Sequence, residues 1–385
     1  MSARGLTGPQ FGSYLPEEVT WLLTDLSDVA LEAPTREREE AIQSGRSHYA
    51  ESLPIEYQPG DDYRTLFADA LRRSADRVAY SVGLVTELVL VERGPAPVLA
   101  SLARAGTPVG ILMQHWARFA AGVTLPHYSL SIVRGRGIDR VALAHLAERH
   151  DPATVVFVDG WTGKGAITRE LQESVAEANT ALATRFSADL AVLADPGHCV
   201  SLFGTRDDFL IPSACLNSTV SGLVSRTVLN DALIGPADFH GAKFYAELAG
   251  SNESRRFIDT VVARFPAVVD RVRTELGAHR ASDRTPSWSG WSLVERLGAE
   301  HGIDDLNLVK PGVGETTRVL LRRVPWKILV RPQALPELAH VVLLARQRGV
   351  EVVEVEDLGF SCVGLIAPQP RQGSGVHEHA AVSTR

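Results

Sequence analysis

Helical and strand-like patterns alternate along the sequence from about Tyr63, and this alternation constrains the fold more than any other feature. Residues 69–92 carry apolar side chains at spacings of three and four, which predicts a long helix. Short apolar runs between further helical patterns predict strands at residues 98–102, 128–133, 154–158 and 190–193. Because strands joined by helices pair in parallel, we predict an α/β domain built on a parallel sheet flanked by helices.

Shifts in composition divide the chain of 385 residues into five segments. A helix-like stretch around residues 17–26 lies in the first of them, and a stretch rich in Arg, Ser, Pro and Gly marks a linker later in the chain. The predicted segments are an N-terminal extension that packs on the core (1–60), the α/β domain (61–275), the linker (276–305), a small C-terminal α/β domain (306–367) and a disordered tail (368–385).

The composition limits the class of protein. Hydrophobic residues make up 45% and charged residues 22% of the chain, which indicates a globular protein. The net charge of −7 disfavours a nucleic-acid-binding protein whose whole surface is basic. Three widely separated cysteines predict neither a disulfide framework nor a CxxC metal site. No run approaches the roughly 18–20 apolar residues of a membrane span, and the first residues lack a signal-peptide pattern, so we expect a cytoplasmic protein without a membrane partner.

The segment 155–166 carries the strongest signal for a binding site. An apolar strand leads to Asp159, and a turn of small residues then begins a helix. Backbone N–H groups in such a turn, together with the helix dipole, bind anions, and glycines allow a phosphate to approach the backbone. The residues of this turn are Thr162, Gly163, Lys164, Gly165 and Ala166. The alternative interpretation is an ordinary tight turn between a strand and a helix.

Two further loops also suit anions. Residues 101–107 place Arg104 between small residues, an arrangement that favours bidentate binding of phosphate or pyrophosphate. Residues 131–139 place Arg134 and Arg136 on a glycine-flanked loop that could close over a polyanion. Taken alone, the latter loop is better explained as a solvated basic turn. Together, three such loops at the strand ends of one domain favour a phosphate-binding site.

Two of these loops together resemble those of type I phosphoribosyltransferases. They are the loop at residues 159–166 and the segment Ala103, Arg104, Ala105 and Gly106. The resemblance implies a phosphoribosyltransferase-like fold, a substrate of phosphoribosyl pyrophosphate with Mg²⁺, and often a homodimer. It assigns residues 162–166 to the 5-phosphate, residues 103–106 to pyrophosphate, and Asp159 to the ribose hydroxyls and the metal. The sequence departs from this family at Gly160, where a second acid is usual, and its loop is about one residue shorter.

Longer runs spread over most of the chain resemble one bacterial family. This is the phosphoribosyltransferase-like family found with tellurite-resistance and stress genes, also labelled StiP and described as a cysteine protease. The runs are Phe11–Tyr14, Glu37–Glu40, His48–Tyr49, Leu53–Tyr57, Pro126–Ser129, Asp207–Ser213 and Cys215–Leu223.

The last of these runs contains candidates for two different chemistries. Cys215 is the thiol nucleophile that a protease would need, although no papain-like or caspase-like signature surrounds it, and a buried structural thiol is the alternative. Asn217, Ser218 and Thr219 suit a loop that binds the acceptor of a phosphoribosyl group. His240, or its neighbour Asp238, is a candidate base for that acceptor, and a helix cap explains the segment equally well.

The small C-terminal domain begins with residues 310–318, where glycines and polar groups precede a basic helix. Such a helix N-terminus suits a phosphate backbone. The run resembles an element of Pelota-type domains, which are related to ribosomal proteins that recognise kinked RNA. The resemblance implies RNA contacts at Gly314, Glu315, Thr317 and Arg318. The alternative is a small module that docks on the α/β domain and binds no RNA.

These observations lead us to expect an enzyme that transfers a phosphoribosyl group to an unidentified acceptor, with Asp159, Arg134, Arg136 and His240 as its catalytic residues. Two alternatives remain open at this point. One is an RNA-binding regulatory protein whose degenerate transferase domain senses a nucleotide. The other is a cysteine protease that uses Cys215.

Overall fold

The structure of the protein is a computed structural model that describes residues 4–34, 48, 50–56, 58 and 60–367. The run Glu37–Glu40, the residues Tyr49 and Tyr57, and the expected tail at 368–385 lie outside the described residues. Among the described residues, no helix combines the length and hydropathy that a membrane crossing requires.

The secondary structure follows the predicted alternation. The helices are α1 (Asp61–Arg93), α2 (Thr107–Ala121), α3 (Arg140–Ala147), α4 (Ala166–Leu182), α5 (Ser254–Val262), α6 (Phe265–Ala281), α7 (Ser289–Glu300), α8 (Val313–Arg322) and α9 (Ala339–Gln347). The strands are β1 (Thr20–Leu22), β2 (Thr24–Asp25), β3 (Glu32–Ala33), β4 (Leu53–Pro54), β5 (Val98–Leu102), β6 (His127–Leu130), β7 (Ile132–Val133), β8 (Gly137–Ile138), β9 (Val155–Trp161), β10 (Leu190–Ala194), β11 (Leu202–Thr205), β12 (Gly241–Ala242), β13 (Val309–Pro311), β14 (Pro325–Val330), β15 (Glu351–Glu354) and β16 (Cys362–Ile366).

The main sheet is parallel throughout, with the strand order β1-β6-β5-β9-β10-β11. Alternate side chains of β9 enter two separate cores: Val156 and Val158 pack with α1 and α2, whereas Val155 and Phe157 pack with α3 and α4. The sheet is thus covered by helices on both faces, as continuously apolar parallel strands require. The prediction of a parallel sheet flanked by helices is confirmed, and the finer assignment to the phosphoribosyltransferase fold stays a prediction.

The N-terminal segment adds an edge strand to this sheet. β1 pairs in parallel with β6, and the Trp21 side chain is fully buried. The prediction of helical structure around residues 17–26 is wrong, because the structure has the short strands β1 and β2 there. Pairing along the sheet edge and burial of Trp21 outweigh the local helical pattern.

The C-terminal domain has a mixed sheet in the order β13-β16-β14-β15, in which only β14 and β15 pair in parallel. Its core includes Val319 from α8 and Leu329, Val363 and Leu365 from the sheet. The same core includes Leu297 from α7, so that this helix, which falls in the expected linker, packs as part of the C-terminal domain. Apolar residues on one face of α7 account for this packing.

The Asp208 carboxylate connects the two domains. It accepts hydrogen bonds from the N–H groups of Val313 at 2.9 Å and Ser361 at 2.8 Å, and the Ser361 hydroxyl donates to the Asp208 carbonyl at 2.8 Å. Burial raises the pKa of Asp208 to about 6. A single side chain from the main domain therefore accepts the hydrogen bonds of two backbone N–H groups, one at the N-terminus of α8 and one in the turn before β16.

Asp208→Ala is expected to lower the free energy of unfolding by about 2–4 kcal/mol, because two buried N–H groups lose their acceptor. Equilibrium unfolding in urea measures the loss. The matched control is Asp207→Ala, which removes only an exposed ion pair with Arg77 and should cost far less. Equal losses in the two variants would contradict the proposed connection.

Candidate functional site

The carboxyl ends of β5 and β9 and the C-terminal domain enclose a cleft of about 580 Å³. The loops after the two strands form one wall, and β13, α8 and the turn before β13 form the other. The charged residues that line the cleft are Glu56, Arg104, Arg134, Asp159, Lys164, Arg226, Asp305, Lys310, Glu315, Arg318 and Arg323. The cleft lies where parallel sheets commonly place their ligands.

The loop of residues 162–165, between β9 and α4, forms the floor of the cleft. The Thr162 side chain is buried, and its hydroxyl donates a hydrogen bond to the carboxylate of Asp195. Gly165 has φ +80°, and a Cβ at this position would overlap the ring of Trp288. Packing against Trp288 therefore requires glycine at 165. The expected reason for this glycine was different, namely the approach of a phosphate to the backbone.

Lys164 points from this loop toward the C-terminal domain. Its ammonium group donates a hydrogen bond to the backbone carbonyl of Leu306. Burial, together with the charges of Lys310 and Arg134, lowers the pKa of Lys164 to about 7. Burial also lowers the pKa of Lys310 to about 8. The buried ammonium group of Lys164 and the half-buried one of Lys310 thus face one cleft at the junction of the domains.

Asp159 lies at the carboxyl end of β9 and lines the cleft. Its carboxylate accepts a hydrogen bond from the Gly160 N–H at 2.8 Å, and burial raises its pKa to about 6. In the part of the chain that the structure describes, no group of three or more His, Cys, Asp or Glu residues is placed to hold a metal ion. One such carboxylate does not by itself match the oxygen ligand set of Mg²⁺, so magnesium at Asp159 stays a prediction.

Arg104 belongs to a largely buried network that forms part of the cleft wall. Its guanidinium donates to the Val224 carbonyl at 2.9 Å and lies 3.6 Å from the Glu56 carboxylate. Glu56 in turn accepts hydrogen bonds from the N–H and the hydroxyl of Ser218, both at 2.6 Å. Asn217 lines the cleft beside this network, whereas Ser218 is fully buried. Three further residues were expected to bind substrate but do not line the cleft: Ala103, Ala105 and Thr219.

The other expected catalytic residues separate in the structure. Arg134 lines the cleft and donates to the Asn307 side chain of the C-terminal domain at 3.1 Å. Arg136 and His240 are not among the residues that line the cleft. The buried N–H of His240 donates to the Asp139 carboxylate at 2.7 Å, and burial lowers the pKa of the His240 ring. Gly106 precedes α2, away from the cleft lining.

Cys215, the candidate nucleophile, is fully buried. Its backbone carbonyl accepts a hydrogen bond from the Tyr63 hydroxyl at 3.1 Å, and burial raises the pKa of its thiol to about 12. A protonated, enclosed thiol is a poor nucleophile. Its role as nucleophile stays a prediction.

Cys199 has no role predicted from the sequence, and it lies directly behind the cleft floor. Its Sγ is 3.6 Å from the carbonyl oxygen of Gly163, and its N–H donates to the Asp195 carboxylate at 2.8 Å. Burial and the charge of Asp195 raise the pKa of the Cys199 thiol to about 12. The neighbouring His198 has φ +52°, which is uncommon outside glycine. A sequence signal for this thiol is nevertheless present, because residues 195–199 place an acid, an imidazole and a thiol in one turn after a strand.

The opposite wall contains the residues implied as RNA contacts. Gly314 packs against Trp161, since a Cβ at 314 would overlap the indole ring. The Arg318 guanidinium lies 4.3 Å from the centre of the Trp161 ring and forms an ion pair with Glu315 at 3.1 Å. Thr317 is buried inside its own domain. Two of the four residues, Glu315 and Arg318, therefore line the cleft rather than a separate surface, and Gly314 packs beside them against Trp161.

A parallel sheet, a cleft at its carboxyl edge and a small domain across that cleft define a two-domain α/β protein. Residues 12–262 match the family described as "Tellurite-like stress resistance cysteine protease StiP", and residues 288–368 match the PELOTA RNA binding domain. "Cysteine protease StiP" of Acinetobacter baylyi is 35% identical over 337 residues, which cover 83% of this chain and 84% of the relative. The chain therefore belongs to the StiP family and carries a PELOTA domain.

These comparisons correct the expected function. Both the family description and the relative's name specify a cysteine protease, so the expectation of a phosphoribosyltransferase is wrong. Phosphoribosyl pyrophosphate as the partner has no support either. The physical reason for the error is that a strand, an acid and a Gly-rich turn look alike in sequence whether they bind a ligand or the protein itself. Here the Thr162 hydroxyl binds the Asp195 carboxylate, and Gly165 makes room for the ring of Trp288.

The lowered pKa of Lys164 predicts a pH-dependent contribution to stability. The unfolded state keeps this proton up to the ordinary lysine pKa of 10.5, whereas the folded state releases it near pH 7. Stability therefore rises with pH over that interval, by about 2 kcal/mol between pH 6 and pH 8.5. Urea unfolding of the wild type and of Lys164→Met at both pH values measures this gain, which the variant should lack.

The control for this measurement is Lys327→Met on β14, outside the cleft lining, which should keep the wild-type dependence on pH. The same dependence in Lys164→Met as in the wild type would show that Lys164 is fully protonated in the folded protein.

Proposed function

We propose that the protein is a cysteine peptidase whose substrate binds in the cleft between the two domains. The family description and the name of the Acinetobacter relative support the reaction. The observation that carries the assignment of the site is the position of a thiol, Cys199, against the loop that forms the cleft floor. A cysteine nucleophile needs a base, a group that orients the base, and access to the substrate.

Two residues that could meet the first two requirements lie in the same turn as Cys199. His198 precedes it, and Asp195 begins the same turn. Catalysis requires the His198 ring to turn toward the thiol, because the Asp195 carboxylate binds Thr162, Arg206 and the Cys199 N–H. Burial and the charge of Arg206 lower the pKa of the His198 ring, which favours the neutral imidazole that a general base requires. The charge of Asp195 acts on this ring in the opposite direction and would stabilise the imidazolium after it takes a proton.

The proposed reaction has two stages. The thiol proton of Cys199 passes to His198, the sulfur attacks the carbonyl carbon of the scissile amide, and the C–N bond breaks as the imidazolium returns the proton to the leaving amine. Water then attacks the thioester, which releases the peptide acid and restores the thiol. No external oxidant, reductant or metal is required.

The thiol is covered in this conformation of the site. The Trp288 N–H donates to the His198 carbonyl at 2.9 Å, and the Trp288 ring packs against Gly165. Cys199 itself is 1% exposed. Catalysis at Cys199 therefore requires Trp288 or the loop at 162–165 to move away from the thiol.

RNA binding by the C-terminal domain is a second candidate function. The match of residues 288–368 to the PELOTA RNA binding domain favours it, as do the basic residues Lys310, shortly before α8, and Arg318, within α8. Because Arg318 stacks on Trp161, RNA would have to enter the cleft or separate the two domains.

Cysteine-to-alanine variants test the proposed thiol. Cys199→Ala is expected to reduce hydrolysis of a protein substrate such as casein to background, whereas Cys215→Ala and Cys362→Ala should retain activity in proportion to their folded fraction. All three side chains are buried, so the thermal midpoint of each variant is measured alongside and separates loss of chemistry from loss of fold.

The outcomes of this experiment are distinct. Loss of activity only in folded Cys215→Ala would transfer the nucleophile to Cys215, the alternative thiol that the sequence offers. Retained activity in a variant that lacks all three thiols would overturn the cysteine peptidase.

A further inference from the structure

The C-terminal domain forms half of the cleft rather than an appendage to it. Lys310 and Arg318 line the cleft from one side, and Lys164 lines it from the other. Contacts between the domains fix this arrangement, since Gly314 packs against Trp161 and the Lys164 ammonium binds the Leu306 carbonyl. Residues 310–318, for which the Pelota resemblance implied RNA contacts, therefore form part of a wall of the proposed active site.

The cleft concentrates positive charge in an acidic protein. Its lining contains seven cationic residues and four carboxylates, a formal excess of +3 (7 − 4), while the whole chain has a net charge of −7. Two of the carboxylates are already paired: Glu56 lies against Arg104, and Glu315 lies against Arg318. The positive charge that has no such carboxylate partner therefore includes that of Lys164 and Lys310.

Lys164 and Lys310 are the groups best suited to an anionic substrate. Both lie in the cleft, and the described Lys164 contacts are backbone carbonyls, which leave its charge without a carboxylate partner in those contacts. The charges of Lys310 and Arg134 disfavour the charged form of Lys164. The nearby carboxylates of Glu315 and Asp305 favour that form, but burial and repulsion still keep the pKa of Lys164 low. A bound carboxylate would offset this repulsion and the cost of burying the Lys164 ammonium group.

We propose that Lys164 and Lys310 form a carboxylate-binding subsite, so that the C-terminal domain makes the peptidase selective for peptides with an Asp or Glu side chain near the scissile bond. This inference rests on the proposed function. A cleft of about 580 Å³ with protein on both sides has room for a few residues of a peptide, whereas a folded RNA stem occupies a larger volume. The acidic peptide is therefore the occupant that this arrangement favours.

The first test compares two peptides that differ only by Glu or Gln beside the cleaved bond. The wild type is expected to hydrolyse the Glu peptide with a kcat/KM about tenfold higher. Lys310→Met should lower the kcat/KM for the Glu peptide much more than that for the Gln peptide. Lys327→Met, which removes a lysine of the same domain outside the cleft lining, should leave the ratio unchanged.

The second test measures binding without catalysis. Acetylated tetra-glutamate is titrated calorimetrically into the full chain carrying Cys199→Ala, with tetra-glutamine as the control peptide. We expect tetra-glutamate to bind and tetra-glutamine not to bind. Lys310→Met should weaken the binding of tetra-glutamate about tenfold. At pH 8, titrations in two buffers of different ionisation enthalpy should also report proton uptake, because the bound carboxylate favours the charged form of both lysines.

The outcomes separate this inference from the proposed function. Peptide hydrolysis without a preference for Glu would overturn the subsite and leave the peptidase intact. Lysine-dependent binding of tetra-glutamate by a protein that hydrolyses no peptide would overturn the peptidase and support the subsite. Binding of a kinked-stem RNA oligonucleotide that depends on Lys310, with no binding of tetra-glutamate, would assign this wall to RNA and overturn the proposal.

Discussion

The position of the C-terminal domain depends on the half-buried carboxylate of Asp208 and on the apolar core that α8, β14 and α9 share with α1 of the main domain. The two oxygens of Asp208 accept the N–H groups of Val313 and Ser361, which begin α8 and precede β16. Without these bonds, two donors would be buried without acceptors at the point where the domains meet. The second wall of the cleft, with Lys310 and Arg318, follows from this attachment. The site therefore depends on a contact that lies outside it.

Burial also determines the chemical state of the groups around the cleft. It lowers the pKa of Lys164 and Lys310 and raises the pKa of Asp159 to about 6, so these groups titrate nearer to neutral pH than exposed side chains do. The same cause keeps the Cys199 thiol protonated in the covered form. Movement of Trp288 away from the thiol would change hydration and reactivity together, which is a physical basis for a latent peptidase.

Part of the site was predictable from residues that end strands. Arg104, Asp159 and Lys164 follow apolar strands in the sequence, and parallel strands bring their carboxyl ends to one edge, so these residues do line one cleft. Arg134 and Arg136 show the limit of this reasoning. They lie two residues apart on one loop, yet only Arg134 reaches the cleft, because Asn307 of the C-terminal domain accepts its hydrogen bond.

The sequence by itself determined the parallel α/β architecture and the presence of a second small domain, because apolar periodicity and chain connectivity are local properties. Only the tertiary structure decided what each polar group binds. It directed Lys164 to a backbone carbonyl, set Gly314 against Trp161, and placed Cys199 rather than Cys215 behind the cleft floor. Such pairings join residues that are distant in the chain, and no local pattern encodes which of many compatible partners a side chain meets.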